Sequence, residues 1–166
     1  DAEIISVLVH FFRSVGLSHE DLTIRVSSRK ILGEVLGSLG IEGEDFTRTC
    51  VIVDKMDKLP RDTIETQLTE IGLSVDSIAT IQSVLGIRSL GALEDSLGPE
   101  QQSVSELRQL FTLLESYGAR EWIEFDASVV RGLAYYTGPV FEVYDRNGEF
   151  RAVCGGGRYD KLIETM

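Results

Sequence analysis

Cysteine is scarce: Cys50 and Cys154 stand 104 positions apart, with no CxxC and no histidine cluster beside them. That spacing argues against a zinc site or a disulfide framework and makes a reducing compartment the default. No apolar run approaches the roughly 20 residues of a membrane-spanning helix. With three prolines and no low-complexity tract, the chain has no Pro-rich linker. Positive charge is also short, with 16 Lys and Arg against 27 Asp and Glu and a formal charge of −11. A non-specific nucleic-acid coat protein or a binder of anionic membranes needs the opposite sign. The opening DAEIISVLVHFF lacks a basic leader, so it does not read as a signal peptide. It begins on a helical pattern without Met, and the chain stops on another. A piece of a longer protein is expected.

What is present is an ordinary globular balance: 166 residues, 43% hydrophobic and 26% charged. A chain of this size buries roughly 68–70% of its unfolded surface, enough for a core without staples. Ile4, Ile5, Val7, Leu8, Phe11, Phe12 and Val15 recur at spacings of three and four, which predicts a helix ending at Gly16. Leu22–Val26 alternates and carries β-branched residues, a short strand. Ser27-Ser28 can cap the next helix, whose stripe is Ile31, Leu32, Val35, Leu36 and Leu39.

From 40 to about 118 short helical patterns succeed one another: 47–56, 61–71, 74–85, 91–96 and 103–117. Pro60, Gly72, Gly86 and Gly98-Pro99 punctuate them. Residues 1–118 hold 10 basic and 19 acidic side chains, so most of the acidity reads as solvated helix surface. From Trp122 the period shifts to two. Trp122–Phe125, Val140–Tyr144 and Phe150–Cys154 are strand candidates. Asn147-Gly148 between the last two predicts a tight antiparallel hairpin. A helix is expected from Tyr159-Asp160 onward.

Two runs in this last quarter could carry chemistry. In Val129–Pro139, Arg131 and the pair Tyr135-Tyr136 are bracketed by Gly132 and Gly138. An Arg there can bind a carboxylate or phosphate bidentately, and tyrosines offer flat walls with hydroxyl tips. On spacing alone the plainer reading, a strand edge with an exposed Arg and two core-facing tyrosines, stands ahead of a site. The second run is Cys154-Gly155-Gly156-Gly157-Arg158-Tyr159-Asp160. Its glycines could let a ligand lie on bare backbone, or could form a tight strand-to-helix turn; it is neither GxGxxG nor a P-loop. His10 and His19 read as surface or satisfied core, and Cys154 as a small buried hydrophobe. Ser27-Ser28-Arg29-Lys30 reads as a helix cap as readily as an anion contact, and 54–58 as an exposed helix end.

Taken together, RGLAYYTGPVFE and CGGGRYDKL closely resemble the second histidine-specific signature of the histidyl-tRNA synthetases, class II aminoacyl-tRNA synthetases. DAEII resembles the segment after that family's motif 2, VSSRKIL the strand and helix that follow, and the helical middle its insertion domain. The resemblance implies that Arg131 is the catalytic arginine, holding the histidine carboxylate and the ATP α-phosphate. It implies that Tyr135, Tyr136 and Tyr159 line the histidine pocket and that Gly155, Gly156 and Gly157 keep its floor thin. Ala134 stands where many members carry Asp, so no Asp-type chemistry is assigned there. No segment resembles motif 1, 2 or 3 or an anticodon-binding domain, and the isolated chain is expected to be inactive.

The expected fold is therefore α+β: part of a class II antiparallel sheet with flanking helices, from 1–39 and 121–166, interrupted by a helical insertion over 40–120. By resemblance the parent is a homodimer that uses histidine, ATP, Mg²⁺ and tRNA(His), without a membrane. No metal-ligating residues are read from the sequence. The expected compartment is the cytoplasm, with organellar import left open. The alternative is a non-catalytic synthetase-like regulator that senses histidine or tRNA. For the helical middle, Arg48, Lys55, Lys58 and Arg61 are the candidate tRNA contacts, against a plain spacer role.

Overall fold

The computed structural model describes residues 1–56, 59–130, 136–148, 152–160 and 163. Helix α1 (Ala2–Ser14) buries Ile5, Val9 and Phe12, one face of the expected stripe, and leaves Ile4, Val7 and Phe11 exposed. Strand β1 (Leu22–Ser28) runs two residues further than its alternation predicts. It stops where Ser28, in extended conformation, accepts a hydrogen bond from the Lys30 amide and caps α2 (Arg29–Ser38). Five helices follow: α3 (Gly43–Val53), α4 (Arg61–Glu70), α5 (Val75–Leu85), α6 (Leu90–Leu97) and α7 (Gln102–Ser116). Ser74 and Ser89 cap α5 and α6 through their hydroxyls. A short 3₁₀ turn at Arg120–Trp122 leads into β2 (Ile123–Phe125), then β3 (Pro139–Asp145) and β4 (Cys154–Gly157).

The sheet order is β2-β1-β3-β4. The β1–β3 and β3–β4 pairs are antiparallel, but β1 and β2 are parallel, with Ile24 opposite Ile123 and Val26 opposite Phe125. A parallel neighbour needs a long crossover, and here the whole helical stretch supplies it. Ile24, Val26, Ile123, Phe125 and Val143 join the helices in one continuous apolar core. Val140, one pleat out of phase, joins Val129 and Tyr136 in a small cluster apart from that core. Trp122 closes the end of the main core, stacked on Phe12 at 6.3 Å with the Arg13 guanidinium 5.7 Å from its ring centre.

Some expectations about this last quarter need correction. Of the strand predicted at 150–154, residues 150 and 151 lie outside the described residues and 152–153 are not in a strand; β4 begins at Cys154 and runs through the glycines, because residues 155–157 pair with Glu142, Phe141 and Val140. The Asn147-Gly148 turn forms as expected, with Gly148 at φ 70° and its amide donating to the Asp145 carbonyl, and the strands on either side, β3 and β4, pair antiparallel; 149–151 lie outside the described residues. Cys154 is exposed at the sheet edge, not buried. Tyr159 and Asp160 are not themselves helical and Ile163 is in a 3₁₀ turn; the rest of the expected helix, 161, 162 and 164–166, lies outside the described residues.

Ile24 has no exposed surface and touches both neighbours of the central strand. Ile24→Ala is expected to cost about 2–5 kcal/mol of unfolding free energy. Ser28→Ala, which removes one cap, is expected to cost about 1 kcal/mol. Urea titration followed by fluorescence of Trp122 measures both.

Candidate functional site

The described part of the site is built where the start of β3 meets the end of β4. Arg158 donates its amide to the Pro139 carbonyl at 2.9 Å, and its carbonyl accepts from the Thr137 amide at 2.8 Å. One step further, the Thr137 hydroxyl donates to Asp160 at 2.7 Å and accepts from the Asp160 amide at 3.1 Å. Segments 137–139 and 158–160 are thus zipped together, and the tyrosines at their margins, Tyr136 and Tyr159, are brought to a ring-centre distance of 6.4 Å. That separation lies within the range of tilted aromatic pairs.

Glycine makes this approach possible. A Cβ at Gly157 would stand 2.7 Å from Cδ1 of Tyr136, 2.8 Å from Cγ1 of Val140 and 2.9 Å from the Pro139 oxygen. Position 157 is therefore filled by the tyrosine ring, which is only 7% exposed. On the opposite face a Cβ at Gly156 would stand 3.1 Å from the Phe141 ring. Gly155 pairs with Glu142 in the exposed part of the strand. A cavity of about 480 Å³ runs beside this strand, lined by Ile4, Phe141, Gly156, Arg158, Tyr159 and Asp160 among others. Tyr159 is half exposed at its rim.

Of the residues singled out in the sequence, Tyr136, Tyr159, Gly156 and Gly157 come together here, with Gly155 on the same strand. Arg131 and Tyr135, with Gly132 and Ala134, lie outside the described residues. The sequence reading missed the Thr137–Asp160 latch and the role of Arg158. Both residues of the latch are visible in the two signature runs, but only the strand pairing puts them opposite one another.

The chain leading toward Arg131 is fixed from a different side. Asp126 is a buried carboxylate whose Oδ1 accepts from the Ser128 amide and hydroxyl at 2.9 and 2.6 Å. Arg88, between α5 and α6, approaches it to 3.1 Å, and Arg25 of β1 to 3.6 Å. The Ala127 amide donates to the Ile87 carbonyl at 3.1 Å. Residues 126–128 are thus held jointly by the sheet and the helical region. Arg25 also stacks 4.4 Å from the centre of the Tyr144 ring.

The lesser candidates resolve simply. His10 is exposed, and His19 stands 3.8 Å from Glu121. Ser28 caps α2 and Lys30 donates to Glu106 at 2.6 Å, while Nη1 of Arg29 is buried without a hydrogen-bond partner among the described residues. The expected helix end at 54–58 follows the close of α3 at Val53, and 57 and 58 lie outside the described residues. Arg48 pairs with Glu44, one turn before it, at 3.0 Å, and Arg61 with Glu65, one turn after it, at 2.7 Å. Gln82 and Arg61 hold the Glu65 carboxyl below its ordinary range by hydrogen bonding. Burial pushes the Cys50 thiol up, which leaves little thiolate for nucleophilic work. Among the described residues no group of three His, Cys, Asp or Glu is placed to hold a metal ion.

Comparison with known proteins bears on what such an arrangement serves. The family model described as histidyl-tRNA synthetase matches residues 1–166. A histidine–tRNA ligase of Arabidopsis thaliana, named chloroplastic/mitochondrial, is 50% identical over 165 residues, which are 99% of this chain and 34% of that protein. The crystal structure of histidyl-tRNA synthetase from Nostoc superposes with a TM-score of 0.85 at 27% identity, covering 99% of this chain and 41% of that one. The fold is shared with a Bacillus halodurans protein titled ATP phosphoribosyltransferase regulatory subunit/histidyl-tRNA synthetase. There the TM-score is 0.78 at 22% identity, over 99% of this chain and 43% of that one. The chain spans about a third of the length of the Arabidopsis relative.

Gly157→Ala is expected to lower stability by about 1–3 kcal/mol, because the methyl group meets a ring, a branched side chain and a backbone oxygen at once. Gly156→Ala, facing only a ring that can give way, is expected to cost less; urea unfolding of the two variants ranks them. In the native protein a thiol reagent such as DTNB is expected to modify Cys154 rapidly and Cys50 only on unfolding, read by peptide mapping of the labelled chain.

Proposed function

The chain belongs to the histidyl-tRNA synthetase family, and we propose that it forms the histidine-binding side of a histidine–tRNA ligase. That enzyme joins histidine to ATP as histidyl-adenylate with release of pyrophosphate, then passes the histidyl group to tRNA(His). The observation that carries the reading is the Tyr136–Tyr159 pair over a side-chain-free strand, within a chain that matches the family over its whole length.

In this reading the imidazole of the substrate lies against the Tyr136–Tyr159 pair in the cavity that Tyr159 rims, and Gly155, Gly156 and Gly157 bring the backbone of β4 close to it. The hydroxyl tips of Tyr136, Tyr159 and Tyr135 supply polar partners. A competitor without ring nitrogens would leave those partners unpaired, which is how a hydrogen-bonding pocket rejects apolar side chains strongly. Arg131 holds the carboxylate and the α-phosphate, so that its fixed charge faces the negative charge that grows at phosphorus during adenylation. Asp126 and its partners order the residues that precede it. The described residues do not make a site for Mg²⁺, and no step is drawn through one.

The helical stretch 40–120 is assigned as an insertion that supports this half-site. Arg48 and Arg61 are already engaged by glutamates, which favours the supporting role over a broad grip on tRNA. Catalysis is assigned to the longer parent, as a homodimer by resemblance, and its likeness to a chloroplastic/mitochondrial ligase favours an organelle over the cytoplasm. The regulator alternative shares the fold. Retention of Arg131, Tyr136 and the CGGGRYD run favours the ligase.

Arg131→Ala in the full-length protein is expected to cut histidine-dependent ATP–pyrophosphate exchange by roughly 10²–10³-fold with an unchanged circular dichroism spectrum. Exchange at the wild-type rate in that variant contradicts the assigned role. Absence of exchange in the full-length wild type points to the regulator instead.

A further inference from the structure

Arg158 touches neither tyrosine ring through any contact described above, yet it is the residue between Gly157 and Tyr159. Its side chain folds back across Gly138, where a Cβ would lie 3.2 Å from its Cδ and 3.3 Å from its Nε. Glycine at 138 thus keeps open the slot that the guanidinium stem occupies. The head then reaches α1 and α7 together. Nε donates to the two carboxylate oxygens of Asp1 at 3.1 and 3.3 Å, and Nη2 pairs with the same carboxylate. Nη1 stands 3.9 Å from Oε2 of Glu106, a buried oxygen with no hydrogen-bond partner among the described residues. The other oxygen of Glu106 accepts from Lys30 at 2.6 Å and Gln102 at 2.9 Å. Two cations and two carboxylates thus alternate across four elements, with Arg158 as the member attached to the glycine strand.

Resting on the histidine-site reading above, we propose that Arg158 is a positioning residue that sets the width of the histidine pocket by clamping the end of β4 to α1 and α7. The planar fork suits this work, because one guanidinium can serve two carboxylates in fixed directions, which an ammonium cannot. Its backbone is bonded to 137–139, so a shift of the side chain is transmitted to Tyr159 and to the face of Gly157 that supports Tyr136. Loss of the clamp loosens the imidazole site while leaving groups that meet ATP untouched.

The test is steady-state pyrophosphate exchange by the full-length synthetase, with histidine and ATP varied separately. Arg158→Ala is expected to raise KM for histidine about tenfold or more while KM for ATP and kcat stay within about threefold. Arg158→Lys recovers part of the loss, and Asp1→Asn moves KM for histidine in the same direction. Should Arg158→Ala fail to fold, the Lys and Asn variants carry the comparison. An unchanged histidine KM in these variants, or parallel increases in both KM values, overturns the clamp. An inactive wild type overturns the ligase reading itself, whereas an active wild type with indifferent variants overturns only the clamp.

Discussion

The ring of Tyr136 lies on β4 because position 157 has no side chain. Every other feature of the site follows from that close approach. With a Cβ at 157 standing 2.7 Å from the ring, either the tyrosine or the strand would have to retreat. Retreat of the strand would break the pairing of Val140 with Gly157 and, with it, the zipper between 137–139 and 158–160. The cost of a glycine in a strand, lost side-chain packing and greater chain entropy, is offset here by an aromatic ring that takes the vacant volume.

The topology explains why residues so far apart in the chain share one small region. β1 lies between β2 and β3, so the strand before the helical stretch is paired on both sides by strands that come after it. Ser28 of β1 sits opposite Pro139, and the Arg29 amide donates to the Gly138 carbonyl at 2.9 Å. The start of α2 is therefore anchored at the same point as the tyrosine and glycine runs. The helical stretch is anchored to the sheet by Asp126 and Arg88 at one place and by Lys30 and Glu106 at another. Its acidic exterior is consistent with solvent-facing helices, and its apolar residues are continuous with the main core.

Helices were the most legible part of the sequence, for a physical reason. Their period, the serine cap at 27–28 and their glycine stops are all local signals. Sheet order was not legible, because the parallel pairing of Ile24 with Ile123 depends on contacts across nearly a hundred residues. The glycine run misled in a specific way. Residues 155–157 have the composition of a turn, and their pairing with β3, with the rings of Tyr136 and Phe141 on its two faces, makes a strand of them. Cys154 was misplaced for the same reason, since ending the strand there put it inside. Tyr136, Tyr159 and the glycines were identified through motif resemblance, while Arg158 was not, since Asp1 lies 157 positions away from it.

A crystal structure of the full-length protein with bound histidine is the decisive experiment. The imidazole is expected against the rings of Tyr136 and Tyr159, beside the backbone of β4 at 155–157. Histidine bound elsewhere, with Tyr136 still packed on Gly157 and no substrate atom within contact of either ring, would contradict it.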